Sequence, residues 1–424
     1  MLDVSIPVDP LCHEAFPAYE SDTESFEYDP RSVDALIRSR LLSPSLTEAE
    51  AEDSFFVADM GDVVRQHSQW KSLLPRVEPF YAVKCCPDPV VIKTLVDLGI
   101  GFDCASKVEI QTVLDYGVDP SRVIYANPCK GPTHIRYAAG KGVDMMTFDN
   151  ADELHKVKAI NPNAKMVLRI LTDDSRSVCR FGVKFGASLA VVPHLLQTAK
   201  DLGVDVVGIS FHVGSGCYDA QAFGDAVVLA RKAFDIGASM GFKFSLLDIG
   251  GGFPGNKNKG IQFNDVAAVL RPVLDELFPE DIRIIAEPGR YFVSAAFTLV
   301  VSVVARRVVQ KSDDEKPSFM YYINDGMYGS FNCITFDHVQ CEPNILIKNG
   351  SYLYGAELNE VEYDCSIWGP TCDSIDCITR TAVLPKLDVG DWLYFDNMGA
   401  YTLAAASQFN GFKKSTILYT NTEQ

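Results

Sequence analysis

From Val77 onward the chain repeats one pattern: a short apolar or β-branched run, a polar or glycine-bearing turn, then a segment of helical period. The runs are VEPFYAV, GIGFDCA, SRVIYAN, GVDMMTFD, AKMVLRI, VDVVGISFHV, FSLLDIG and IRIIAEP, eight in all. Runs that stay apolar at successive positions read as strands buried on both faces, and parallel strands need a crossover helix between them. Eight alternating strands and helices predict a (β/α)8 barrel. The intervening segments fit helices. DPVVIKTLVDLG, SKVEIQTVLDYG, NADELHKVKAI and ASLAVVPHLLQTAKDLG are opened by Asp, Ser or Asn-type residues and often closed by Gly, the residues that cap helix ends. Only the pattern repeats; the sequence does not.

Beyond about Ala305 the character changes to strand-like segments such as SFMYYIND, SYLYGAEL and DWLYFDN, separated by turn residues. These predict a separate all-β domain. The first fifty residues are polar, acidic and proline-bearing, and read as an arm with room for one strand; SLTEAEAED carries the Ser-x-x-Glu signature of a capped short helix. A chain of 424 residues exceeds the usual size of a single core, so at least two domains are expected. The fold class is thus α/β, a (β/α)8 TIM-like barrel plus a C-terminal all-β domain, with an arm over residues 1–50, the barrel over 51–305 and the β-domain over 306–424.

The formal net charge of −18 argues against nucleic acid or an anionic membrane as partner and favours cationic substrates. MLDVSIPVDPLCHEAF has neither a basic stretch nor a continuous apolar one, which predicts no secretory signal. The longest apolar stretch, Phe292 to Ala305, is too short to span a bilayer and is interrupted by Ser294, Thr298 and Ser302. Twelve cysteines without CxxC pairs or regular spacing predict reduced thiols and no metal site. A cytoplasmic protein is expected.

The chemistry gathers where a barrel would put it. Lys84, Asp103, Asp149, Arg169, His212, Gly250 and Glu287 all close predicted strands, and the carboxyl ends of barrel strands form the face that carries active sites. Lys84 ends the apolar run within PFYAVKCCPDP, where an unpaired ammonium is costly unless its pKa falls or it is covalently linked. GGGFPG, with Gly250, Gly251 and Gly252, is either a plain turn or a loop whose bare N–H groups approach an anion. Arg290 offers a forked cation for that anion or a rim salt bridge. Glu287 ends a buried run and needs a partner, either an internal cation or a protonated ring nitrogen. His212 read alone is a core histidine.

Taken with SFHVGSGC, IRIIAEPGRY, WGPTCDSID and DNMGAYT, these residues resemble the eukaryotic, fungal-like ornithine decarboxylases of the alanine-racemase-like, pyridoxal-phosphate-dependent group, from about Asp53 to Leu418. The resemblance implies pyridoxal 5'-phosphate joined to Lys84, its ring stacked on His212 with its nitrogen facing Glu287. Ser215, the three glycines, Arg290 and Tyr401 would line the phosphate, and Asp103, Glu109 and Arg169 the surroundings of lysine and ring. Cys372 would return the proton to Cα, a task open to a thiol whose pKa lies near the working pH. Asp337 and Asp373 would receive the far ammonium of a diamino acid, and Phe409 would sit at the dimer-side pocket. Cys372 and Asp373 would serve the partner's barrel, so a homodimer with shared active sites is implied.

Cys86, where relatives commonly carry a polar residue, and Ser374, where a glycine is usual, depart from that pattern and leave strict ornithine preference open. The long tail of some animal relatives has no counterpart after KSTILYTN. The activity implied is decarboxylation of L-ornithine to putrescine, the first step of polyamine synthesis. The alternatives are a paralogue acting on lysine or another amino acid, and a non-catalytic protein of the antizyme-inhibitor kind. An antizyme-type regulator is a possible partner in the family.

Overall fold

The computed structural model describes residues 31–43, 47, 52–256, 260–309 and 316–423. Its first strand, β1 (Phe55–Asp59), is buried at all five positions. Along the chain follow β2 (Val77–Ala82), β3 (Gly101–Cys104), β4 (Val123–Tyr125), β5 (Met145–Phe148), β6 (Lys165–Arg169), a loop strand β7 (Ser177–Cys179), β8 (Asp205–Ser210), a second loop strand β9 (Ser215–Cys217), β10 (Leu246–Asp248) and β11 (Arg283–Ala286). Every one of the eight expected runs supplies a strand, and they close into a parallel barrel in the order β10-β11-β2-β3-β4-β5-β6-β8. The loop strands β7 and β9 pair with each other over the mouth.

Capping explains the helix starts. Asp88 Oδ1 accepts from Val90 N at 3.0 Å, Ser106 Oγ from Glu109 N at 3.3 Å and Asn150 Oδ1 from Glu153 N at 2.9 Å. The helix Val192–Leu202 departs from this: no side chain caps its start, a proline lies in its first turn, and Gly203 ends it at φ 63°. Inside the barrel, Phe80, Ile124, Val167, Leu246 and Ile285 from five strands form a closed apolar layer. Side chains two residues further along a strand share its face, so Arg169, Asp248 and Glu287 stand above that layer, at the carboxyl-end mouth.

The second unit is a sheet built from β1, β12 (Phe297–Val309), β13 (Ser318–Ile323), β14 (Asn344–Lys348), β15 (Ser351–Tyr352), β16 (Glu362–Trp368), β17 (Cys377–Pro385), β18 (Trp392–Phe395) and β19 (Thr416–Thr420). β1 runs antiparallel to β12 and parallel to β19. Residues 55–59 and 297–305, grouped with the barrel on sequence, therefore pair in the sheet: an apolar run buried on both sides does not say which sheet buries it. In the arm, Val33–Leu41 is a helix, capped by Ser32 Oγ on Ala35 N at 3.2 Å, and no strand is found among its described residues. Leu36 and Ile37 pack on Phe55, Val57 and Val300, which ties the arm's helix to the sheet. The expected helix over SLTEAEAED lies, apart from Thr47, Glu52 and Asp53, outside the described residues. Among the described residues no helix is long and apolar enough to cross a membrane.

Candidate active site

Sheet and barrel meet at the mouth. Tyr401, at φ 56°, donates its N–H to Cys85 O at 2.9 Å, and Tyr419 OH donates to Asp88 Oδ2 at 2.7 Å. Both bonds fix the loop that carries Lys84, which sits in the short 3₁₀ turn Val83–Cys85 directly after β2. Its Nζ forms an ion pair with Asp103 Oδ2, yet 39 % of the side chain remains accessible. Burial works against the ammonium, but Asp103, Tyr401 and Glu287 outweigh it and hold the amine above the ordinary lysine range. The proton must leave before Nζ can act as a nucleophile, and fully buried Asp103 stands against it. Asp103 Oδ1 is buried without a hydrogen-bond partner, a cost that a ligand in the mouth would relieve.

Glu287 and Asp248 form a buried carboxyl pair. Glu287 N donates to Gly250 O at 2.6 Å, and Asp248 Oδ1 accepts from Gly250 N at 2.9 Å, so one glycine holds both. Asp248 Oδ2 has no donor while both groups are ionised; a proton shared with Glu287 supplies one. Burial first, and then each other's charge, raise Glu287 well above the carboxylate range, and burial raises Asp248 to about 7. A raised folded-state pKa means stability that is complete below the unfolded carboxylate range and lost as pH rises through the folded value. The melting temperature of cofactor-free protein should therefore fall between about pH 4 and about pH 8, with Asp248→Asn flattening the slope; equal slopes for both proteins would remove the shared proton. Sequence reading missed Asp248, although a lone acid two residues before Gly250 at the end of LLD was the available signal.

His212 Nδ1 accepts from Gly214 N at 2.9 Å, leaving the ring's proton on Nε2. Burial, then Arg169, Lys84 and Arg290, push its pKa well below the usual value, so the ring is neutral. A flat uncharged ring, held edge-to-face by Phe181 at 4.9 Å, suits stacking. The glycine run passes close beneath it. Gly250 adopts φ 62°, and a Cβ there would lie 2.1 Å from Phe211 O; at Gly252, φ 98°, it would lie 2.4 Å from Gly214 O. Only glycine fits this turn.

Arg290 Nη2 donates to Ser215 Oγ at 2.6 Å and to Asp337 Oδ1 at 2.7 Å, and the guanidinium lies 5.2 Å from the Tyr401 ring centroid. Burial opposes its charge, but Asp337 more than restores it. Asp337 is thus brought to the mouth, though paired with an arginine, and Cys179 Sγ approaches its Oδ1 at 3.8 Å. Arg169 lies 5.1 Å over Phe185, its charge disfavoured by burial and supported by Glu287. Glu109 accepts from Ala105 N at 2.5 Å, with burial raising its pKa, and Asp149 ties down Gly186 N at 2.9 Å.

Cys372 and Asp373 are elsewhere. The Cys372 thiol is exposed on the turn between β16 and β17, its backbone N–H on Asn410 Oδ1 at 3.1 Å. Asp373 Oδ2 accepts from Tyr328 OH at 2.5 Å, which, with the Ile375 N–H, keeps its carboxyl below the usual range, and Phe409 stacks on Tyr328 at 4.2 Å. Neither residue bonds to the barrel rim among the described residues. Of the two departures, Cys86 is buried in the main core and does not line the mouth, while Ser374 is exposed beside Asp373.

An accessible amine, a partnerless buried carboxylate oxygen, a glycine cradle and a buried guanidinium beside a serine fit pyridoxal phosphate; Lys84 would hold its carbonyl carbon, Glu287 would face its ring nitrogen, and Ser215, Arg290 and the glycine turn would hold its phosphate. When bound, that cofactor supplies an electron sink for the charge left at Cα as carbon dioxide departs.

Residues 60–294 match the family model described as pyridoxal-dependent decarboxylase, pyridoxal binding domain. Antizyme inhibitor 2 of Xenopus laevis is 54% identical over 382 residues, 88% of this chain and 82% of the relative. Ornithine decarboxylase of Schizosaccharomyces pombe is 54% identical over 377 residues, 89% of this chain and 85% of the relative. Among solved structures, the arginine decarboxylase of Paramecium bursaria Chlorella virus superposes with a TM-score of 0.84 at 35% identity, covering 91% of this chain and 100% of its own. With its barrel, its lysine-centred mouth and these relatives, the chain belongs to the pyridoxal-dependent decarboxylases.

Proposed function

We propose that this chain decarboxylates L-ornithine to putrescine and carbon dioxide, the entry to polyamine synthesis, as a homodimer with two shared sites. The observation that carries it is the mouth itself: Lys84 on Asp103, the Glu287–Asp248 pair beneath, and Arg290 with Ser215 beside the glycine turn. In this reading Lys84 would hold the cofactor. His212 covers one ring face, and Glu287 keeps the ring nitrogen protonated. Arg290, Ser215, Gly250, Gly251, Gly252 and Tyr401 hold the phosphate, while Asp103 and Arg169 set the charge around the lysine.

Cys372 delivers a proton to Cα, and Asp373 and Asp337 receive the far ammonium. Exposure of Cys372, and the engagement of half-buried Asp373 with Tyr328 away from its own Lys84, support a role in the partner's mouth. Mixing Lys84→Ala with Cys372→Ala subunits then restores activity. Random pairing makes half the dimers mixed, each with one intact site, so about a quarter of wild-type activity returns; no recovery after verified exchange of subunits would refute shared sites.

Similarity to antizyme inhibitor 2 favours a second reading, a non-catalytic protein that binds an antizyme-type regulator. Overall identity does not separate the two, because both kinds of relative reach 54%. Retention of Lys84, Glu287, Arg290 and Cys372 supports the enzyme. Free thiols at all described cysteines support a cytoplasmic setting. The deciding experiment offers L-ornithine, L-lysine, L-arginine and diaminopimelate in parallel to the cofactor-loaded protein and identifies the amine formed. Putrescine far ahead of the rest is expected; bound cofactor without any turnover would move the assignment to the binding protein.

A further inference from the structure

Asp337 lies between two cysteines that fold back on each other. Cys333 opens the short helix Cys333–Phe336, and Cys341 follows the turn, with their Sγ atoms 3.9 Å apart. Cys333 O accepts from Asp337 N at 2.9 Å and Val339 N at 3.2 Å, so the turn that presents Asp337 is knotted around Cys333. His338 within it sits at φ 55°, in the left-handed region that few non-glycine residues adopt. Cys333 is buried, whereas Cys341 is partly exposed. A disulfide needs the sulfurs at about 2.05 Å, so the two sulfurs must approach from 3.9 Å for the bond to form.

We propose that Cys333 and Cys341 are a peroxide-responsive thiol pair whose disulfide fixes the turn carrying Asp337 and weakens substrate binding. Cys341, the accessible member, attacks hydrogen peroxide; the O–O bond breaks, water leaves, and Cys341 becomes a sulfenic acid. The Cys333 sulfur then attacks the Cys341 sulfur, the S–O bond breaks, a second water carries off the remaining proton, and the S–S bond forms. Two thiols lose two electrons and one peroxide becomes two waters. Cys333 is buried and Cys341 partly exposed, so peroxide meets Cys341 first.

In the reduced protein the Asp337 carboxylate is paired with Arg290 at 2.7 Å, so it must turn outward to meet an ammonium. A closed nine-residue loop holds it where it is. The disulfide stands on the thiol geometry alone; its effect on substrate rests on the role proposed for Asp337.

The test treats the cofactor-loaded protein with hydrogen peroxide, blocks remaining thiols and maps peptides by mass, then measures ornithine kinetics before and after dithiothreitol. A Cys333–Cys341 linked peptide is expected, with a several-fold rise in KM that dithiothreitol reverses and that Cys341→Ser, or Cys341→Ala should serine misfold, does not show. Cys341 still alkylated after exposed Cys129 and Cys372 have oxidised would overturn the pair. A linked peptide with the same KM change in wild type and variant would overturn the switch. Absence of ornithine turnover before oxidation would count against the proposed function, while the peptide map would still decide the thiol pair.

Discussion

Lys84→Ala should yield a protein without the visible absorbance of a lysine-linked cofactor and without carbon dioxide release from ornithine. Loss of a group that forms a covalent bond in catalysis costs on the order of 10⁴-fold or more in rate. The fold should survive. Lys84 lies on a short turn with part of its side chain open to the mouth, and its removal leaves Asp103 as an unpaired buried carboxylate that can take up a proton. Far-ultraviolet circular dichroism should match the parent. Full activity in Lys84→Ala would sink the cofactor assignment outright.

Glu287→Gln should keep the cofactor and lose the reaction. The amide preserves shape and can still meet Asp248, so absorbance and the phosphate contacts through Arg290 and Ser215 remain. What disappears is the carboxylate that the pair's Glu287 would present to a protonated ring nitrogen, and with it the means of keeping that nitrogen protonated. Removing one preorganised electrostatic group typically lowers kcat by about 10²–10³-fold. The cofactor Kd should move far less than kcat, a split that separates an electronic role from a supporting one. Equal losses in both would make Glu287 a residue that merely holds the mouth together.

The barrel was legible because a strand buried on both faces must be apolar throughout, and eight such runs alternate with helices that announce their starts: Asp88, Ser106 and Asn150 each cap the helix that follows. Side chains at strand ends were legible for the same reason, since a charged residue closing an apolar run has nowhere to point but the mouth. What stayed hidden depends on partners distant in sequence. Phe55–Asp59 looks like any buried strand, and only its pairing with Leu299 and Ile417 assigns it to the sheet. Asp248 stood beside a more conspicuous glycine run, and its partner Glu287 is separated from it by an entire helix. The Tyr328–Asp373 bond and the Cys333–Cys341 contact likewise join residues whose local sequence carries no mark of the other.

β1 sits between β12 and β19, and Ser54 and Ser415 share a hydrogen bond across 361 residues. Read in the order of synthesis, the ribosome releases β1 first, then the whole barrel, and only at the end the strand that lies beside it. Tyr401, which pins the Lys84 turn through Cys85 O at 2.9 Å, is thus made only after the whole barrel. Until then Phe55–Asp59 is an apolar edge in search of a neighbour, open to mispairing with another nascent copy. Completion of the sheet around β1, and of the clamp on the Lys84 turn, waits on the last residues of the chain.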